Sequence, residues 1–114
     1  MFDFEKLDVF HKTSAYNIEL DEFLDSKKLD FTTHDQLKRA SLSIMLNISE
    51  GSGRRTPKDK RHFFVISRGS AFECAGVFIY LKNKKVATEE EFKKFYSILE
   101  EISKMLFAMI NRLS

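Results

Sequence analysis

The chain has 114 residues, of which 43% are hydrophobic and 32% charged, with a formal net charge of +2. That is the length of one domain (1–114), apolar enough to bury a core and too apolar for a disordered segment. One cysteine excludes an internal disulfide and points to a reducing compartment; the charged N-terminus MFDFEKLDVF does not read as a targeting peptide, and no apolar run approaches the ~18 residues of a membrane span, so a cytoplasmic protein without membrane contact is expected.

With one Pro and four Gly there are few breakers, and the punctuation divides the chain into helices. The first is predicted from about Phe4 to Asp25. Val9, Tyr16, Leu20 and Phe23 share one face, with Phe10 and Leu24 beside it, while Leu7, Ala15 and Ile18 form a second apolar strip. The second is predicted from Thr33, where Thr33 and Gln36 have capping-box spacing, to about Glu50. Gly51-Ser52-Gly53 should stop it, because glycine tolerates the left-handed conformation of a helix end.

Thr56 and Pro57 restart the chain as N-cap and first helical residue. The third helix should reach about Lys84. Its stripe Phe63, Ser67, Ser70, Cys74, Val77 and Leu81 follows 4-3-4-3-4 spacing, with Gly69, Ala71, Ala75 and Gly76 nearby. Small residues let another helix approach, and the two glycines cost roughly 1 kcal/mol each relative to Ala, so a packing reason is sought for them. Thr88 and Glu91 form a second capping box. The last helix then carries Phe92, Phe95, Leu99, Ile102, Leu106, Met109 and Leu113 at unbroken 3-4-3-4-3-4 spacing, an a/d seam.

Four helices with short connections predict an all-α, antiparallel up-down-up-down four-helix bundle. Leu42, Met45, Phe64 and Phe78 lie outside the principal seams. With the second strip on the first helix they indicate either self-association or a wide bundle face.

No enzyme is expected. His11, His34 and His62 lie in separate segments without metal-helix spacing, so no metal and no cofactor is implied. Cys74 falls on a core stripe and reads as a buried thiol, not a nucleophile. Glu89, Glu90 and Glu91 suit a first helical turn.

Charge is uneven. Residues 1–30 hold four Lys against eight acids, whereas RRTPKDKR at 54–61 holds five basic residues and one acid. Gly51-Ser52-Gly53-Arg54-Arg55 is either a helix stop with a solvated turn or an anion-binding turn. Arg54, Arg55, Lys58, Lys60 and Arg61 together would suit phosphate backbones of RNA or DNA, with no reader of base identity among them. Arg39, Ser43, Asn47, Glu50 and Arg54 share a face of the second helix, and Arg68, Ser70 and Glu73 stand on the third. Asn47 and Glu50 are placed to satisfy Arg68, in a network that would fix helix register.

These residues also carry a resemblance. Arg39 to Arg54 resembles the R-A-x-x-S-I-x-x-N-I-x-E-G-x-G-R signature of the four-helix bundle proteins first noted in intervening sequences of bacterial large-subunit ribosomal RNA genes, often labelled ribosomal proteins. Arg68-Gly69-Ser70 with Glu73 resembles that family's R-G-S-x-x-E motif, and Leu7-x-Val9 and the heptad-rich end match too. The resemblance implies a bundle assembled as a ring, typically a homopentamer. The best understood relative is the accessory variability protein of diversity-generating retroelements, which partners a reverse transcriptase and binds nucleic acid through a basic surface. Carried over, that role falls on Arg54, Arg55, Lys58, Lys60 and Arg61. The alternative is an oligomeric scaffold that binds a protein partner and touches no nucleic acid.

Overall fold

The computed structural model describes residues 1–113. A 3₁₀ turn at Asp3–Lys6 is followed by four α-helices: α1 Asp8–Ser26, α2 Phe31–Ser52, α3 Pro57–Asn83 and α4 Glu89–Arg112. Each helix packs on its sequence neighbour and α4 returns to α1, the arrangement of a four-helix bundle. Side-chain pairs set the sense of each contact. Lys12 meets Glu101 (3.0 Å), Glu19 meets Lys94 (3.4 Å) and Lys27 meets Glu91 (2.9 Å) between α1 and α4. Asp21 meets Lys38 and Tyr16 meets Ser41 between α1 and α2. Ser70 meets Ser43 and Glu73 meets Gln36 between α2 and α3. Arg68 meets Ser103 and Lys82 meets Glu89 between α3 and α4. In every pair the numbers rise on one helix as they fall on the other, so neighbours run antiparallel. The exposed ion pairs add little energy; the buried apolar faces hold the bundle.

The core follows the expected faces on two helices. Val9, Tyr16, Leu20, Phe23 and Leu24 of α1 are buried, as are Phe95, Leu99, Ile102 and Leu106 of α4, whose last buried position is Ile110 where Met109 is expected. Phe92, Met109 and Leu113 pack partly buried at the ends of the α4 seam. On α3 the seam is turned by one residue at three places. Phe64, Ala71 and Phe78 are buried where Phe63, Ser70 and Val77 are expected, while Ser67, Cys74 and Leu81 stand as read. Both phases have heptad spacing, and burying two whole phenyl rings decides between them. Ile18 and Ala15 of the second α1 strip point to solvent, and Leu7 alone of that strip packs on the core.

A buried polar chain crosses three helices, and the sequence reading missed most of it. Tyr16 Oη lies 2.9 Å from Ser41 Oγ, which lies 3.3 Å from Cys74 Sγ. Asn17 Nδ2 donates to the carbonyls of Thr13 (2.9 Å) and Ser41 (3.0 Å). Ser67 Oγ donates to the carbonyl of Ile44 at 2.7 Å. Thr13 and Asn17, four apart on the face of Tyr16 and Leu20, were the available signal. Burial pushes the Cys74 thiol up to about 11, so it stays protonated at neutral pH. Burial likewise raises the Tyr16 hydroxyl.

Helix ends depart from expectation in instructive ways. The first helix does not begin at Phe4. Leu7 is extended (φ −94°, ψ 120°), and the preceding 3₁₀ turn is closed by Phe2 N–H donating to Glu5 Oε2 at 2.7 Å. The cap of α2 is Asp30, not Thr33. Its Oδ1 accepts from the Thr33 N–H at 2.7 Å, while Gln36 reaches across to Glu73 at 2.6 Å. A carboxylate is the stronger acceptor at a helix N-terminus and displaces the Thr box. Those capping bonds lower the Asp30 pKa. Thr56 and Thr88 cap α3 and α4 as read, the latter with Glu91 as a capping box.

The left-handed helix stop occurs at the wrong end for a glycine reading. Gly53 sits at φ −87°, and among the described residues no glycine has positive φ. Lys85 does, at φ 63°. The Val86 N–H donates to Leu81 O (2.9 Å) and the Lys85 N–H to Lys82 O (2.9 Å), the two bonds of a Schellman stop. A lysine pays a steric penalty there that glycine escapes. Lys85→Gly is therefore expected to raise the unfolding free energy by about 0.5–1 kcal/mol. Urea denaturation checks it, and an unchanged or lowered midpoint would argue against strain at this position.

Candidate nucleic-acid interface

The basic turn lies where α2 hands over to α3. The handover is tight because of Gly51. A Cβ there would stand 2.9 Å from both Phe63 Cβ and Phe64 Cε1, closer than real contacts allow. Gly51 thus serves close helix approach and not chain reversal. α2 runs on to Ser52, and the turn spans only the residues up to the Thr56 cap.

The five cations divide into two roles. Arg54 is a brace: its Nη2 pairs with Glu50 Oε1 at 2.5 Å and its guanidinium lies 4.5 Å from the centre of the Phe63 ring. Lys60 is half-buried and donates from Nζ to the Ser52 carbonyl at 2.9 Å, satisfying a free acceptor at the end of α2. Arg55, Lys58 and Arg61 are exposed, and among the described residues none has an ion-pair partner. Lys58 and Arg61 are i,i+3 neighbours on the first turns of α3, and His62 is exposed beside them. Two of the five cations are thus engaged locally, and three are without an ion-pair partner among the described residues.

The polar network is placed differently from its reading. Asn47 Nδ2 donates to the Ser43 carbonyl (2.8 Å) and Oγ (3.0 Å), and Ser43 Oγ meets Ser70 Oγ at 2.9 Å. Glu73 takes Gln36, Glu50 takes Arg54, and Arg39 stays exposed on a polar cleft with Ser43, Ser70 and Glu73. Arg68 does not meet Asn47 or Glu50. It turns to the other side of α3, where Nε donates to the Ser103 carbonyl at 3.2 Å and the guanidinium lies over Phe72 (4.7 Å) and Phe107 (5.1 Å). Two aromatic faces and a carbonyl are the better set of partners for a planar cation on that side of the helix.

That side is the α3/α4 face, and it is apolar. Val65, Phe72 and Ile79 of α3 and Phe107 of α4 are exposed. Gly69 and Gly76 lie between the α3 residues with nothing within 4 Å of an added Cβ. By length and composition α3 is long and apolar enough to cross a membrane, although no uninterrupted apolar run in it approaches that length. Arg68, Glu73 and the serines interrupt any run, but phenylalanines and small residues raise the average. Among the described residues no group of three or more His, Cys, Asp or Glu side chains could hold a metal ion.

These features define an α-helical bundle protein with a cationic inter-helix turn and an apolar flank. The chain belongs to the 23S rRNA-intervening sequence protein family, whose model matches residues 5–108. It is similar in fold to a crystal structure at 1.70 Å of a protein of unknown function from the S23 ribosomal protein family of Bacteroides thetaiotaomicron. The TM-score is 0.83 at 24% identity, over 90% of this chain and 97% of that one. Among curated proteins none matches.

Proposed function

We propose that the chain is a non-enzymatic, cytoplasmic accessory protein that assembles with copies of itself and binds RNA or DNA through the turn between α2 and α3. The observation that carries this reading is the exposed, unpaired trio Arg55, Lys58 and Arg61, held in place by the bracing of Arg54 and Lys60. Unpaired cations on a rigid frame gain phosphate contacts without first breaking ion pairs. The family description ties its members to sequences intervening in 23S rRNA, and an RNA-associated role agrees with such a turn. Ring assembly as a homopentamer comes from the resemblance, and the apolar α3 stripe supports self-association.

Fluorescence anisotropy with structured RNA and duplex DNA across a salt series tests the reading. Wild type should bind at low salt and weaken as salt rises. The Arg55→Glu/Lys58→Glu/Arg61→Glu variant should lose about 2–3 units of the log–log salt slope along with most of the affinity. Native mass must show that both assemble alike. Absence of binding at low salt would remove nucleic acid from the function. It would leave a second reading, favoured by the exposed α3/α4 face: a scaffold for a protein partner, such as a reverse transcriptase.

A further inference from the structure

Beside the basic turn is a cavity whose chemistry phosphate binding leaves unused. It measures about 560 Å³, lies between the N-terminal 3₁₀ turn and the end of α2, and is lined by Phe2, Asp3, Phe4, Glu50, Ser52 and Arg54 among others. Phe2 is 71% exposed. Its ring lies nearly parallel to that of Phe4 (5.5 Å between centroids, 16°), and Phe4 packs on Phe10 at 4.6 Å. Among the described residues no further ring closes this stack beyond Phe2. An aromatic tier that ends in solvent is a platform on which an unpaired base can continue the stack.

The cavity's polar lining selects among bases. Glu50 Oε1 is taken by Arg54, but Glu50 Oε2 and both carboxylate oxygens of Asp3 have no protein partner among the described residues. Ionised carboxylates only accept hydrogen bonds, so a base edge facing them must donate. Guanine presents two adjacent donors, N1–H and the N2 amino group, on its Watson–Crick edge. Adenine presents one amino group beside a ring acceptor that the carboxylates repel. The same carboxylates repel phosphate, which leaves the sugar–phosphate backbone to the cations. Arg54 belongs to the cavity wall, and Arg55 follows it into the exposed trio, so base site and phosphate site share a rim.

We infer that this cavity takes one unpaired guanine of a single-stranded or looped-out segment, stacked on Phe2 with its Watson–Crick edge on Asp3 and Glu50, while the flanking phosphates lie on Arg55, Lys58 and Arg61. The inference rests on the nucleic-acid reading above and adds to it a preferred base and an unpaired strand. It supplies the base discrimination that the basic turn alone lacks.

Two measurements test it. The first is anisotropy with a short oligouridine carrying one central guanine, the same strand with adenine, and a blunt RNA duplex. The guanine strand should bind about tenfold tighter than the adenine strand. Phe2→Ala should lose about tenfold on the guanine strand and nothing on the duplex, and Asp3→Asn should erase the guanine preference without weakening duplex binding. Arg55→Glu/Lys58→Glu/Arg61→Glu should weaken all three ligands. Both cavity residues are exposed, and unchanged circular dichroism confirms the fold of their variants. Equal binding of the three ligands, indifferent to Phe2→Ala, overturns the base site and leaves the basic turn standing. The second measurement is NMR titration with guanosine monophosphate and adenosine monophosphate, followed at the ring protons of Phe2 and Phe4. Shifts with the guanosine nucleotide alone support the cavity even if longer strands fail to bind. Silence from both nucleotides overturns it.

Discussion

Phe78→Ala is expected to lower the unfolding free energy by about 3–5 kcal/mol, the largest effect of any single substitution foreseen in this bundle. Phe78 is completely buried. Its ring stacks on Phe95 at 4.7 Å and 11°, and Phe23 lies 5.5 Å away. Phe95 in turn meets Tyr16 edge-on at 6.1 Å, so the cluster ties α1, α3 and α4 together. Truncation removes a ring's worth of burial, leaves a cavity in a close-packed interior and breaks two aromatic pairs. The internal control is Phe72→Ala on the same helix. Phe72 is 58% exposed, and its loss should cost the isolated protomer no more than about 0.5–1 kcal/mol, including its contact with Arg68. Urea denaturation of both variants decides the matter. Equal losses would mean that Phe78 is no more a part of the core than the exposed Phe72.

That comparison also shows how far the sequence carries the fold. The α4 seam was legible as far as Leu106 because its apolar residues are large and flanked by charged ones; at its end Met109 and Ile110 offered two phases, and Ile110 is the buried one. α3 was ambiguous because it is apolar on two sides. Phe63 and Phe64, or Val77 and Phe78, satisfy the same period, and only the volume available between helices chooses. Capping at Thr56 and Thr88 was legible because the signals stand alone, with Pro57 after one and Glu91 completing the other. At α2 only the Thr33 box was read, and the carboxylate of Asp30, three residues earlier, holds the cap instead.

The glycines misled for a different reason. Composition shows that a chain reversal is near, but not whether glycine is there for its φ or for its missing Cβ. Gly51 is there for the latter, and Lys85 takes the left-handed position for which a glycine would have been chosen. The candidate site was legible as a charge cluster. Its division into braces and free cations was not, since it depends on where Glu50, Phe63 and the Ser52 carbonyl stand in space. The cavity at Phe2 was illegible altogether, because it joins residues from opposite ends of the bundle's first half.

The proposed self-assembly makes the second large prediction, and it is one of opposite signs on one helix face. Val65, Gly69, Phe72, Gly76 and Ile79 repeat at 4-3-4-3 on the outer side of α3, a second seam that is largely exposed and on which, among the described residues, no helix of the protomer covers Val65, Phe72 or Ile79. In an isolated protomer its glycines are a loss, since an alanine Cβ at either would meet nothing within 4 Å. Gly69→Ala/Gly76→Ala should thus stabilise the dissociated protomer by about 1–2 kcal/mol through helix propensity. In an assembly the same two methyls fill the space that lets a second helix approach, and association should weaken. Phe72→Glu/Ile79→Glu should go further and shift native mass from the oligomer to the protomer, with protomer stability changed by no more than about 0.5–1 kcal/mol because both side chains are exposed. Unpaired carboxylates in the middle of an apolar interface are costly, whereas on a solvated surface they are not. If wild type runs at protomer mass at every concentration, or if the glutamate variant still assembles, the α3 stripe is not the contact between copies. A glycine variant that is stabler as a protomer yet weaker in assembly has no explanation in the protomer alone, and it would identify the α3 stripe as the contact between copies.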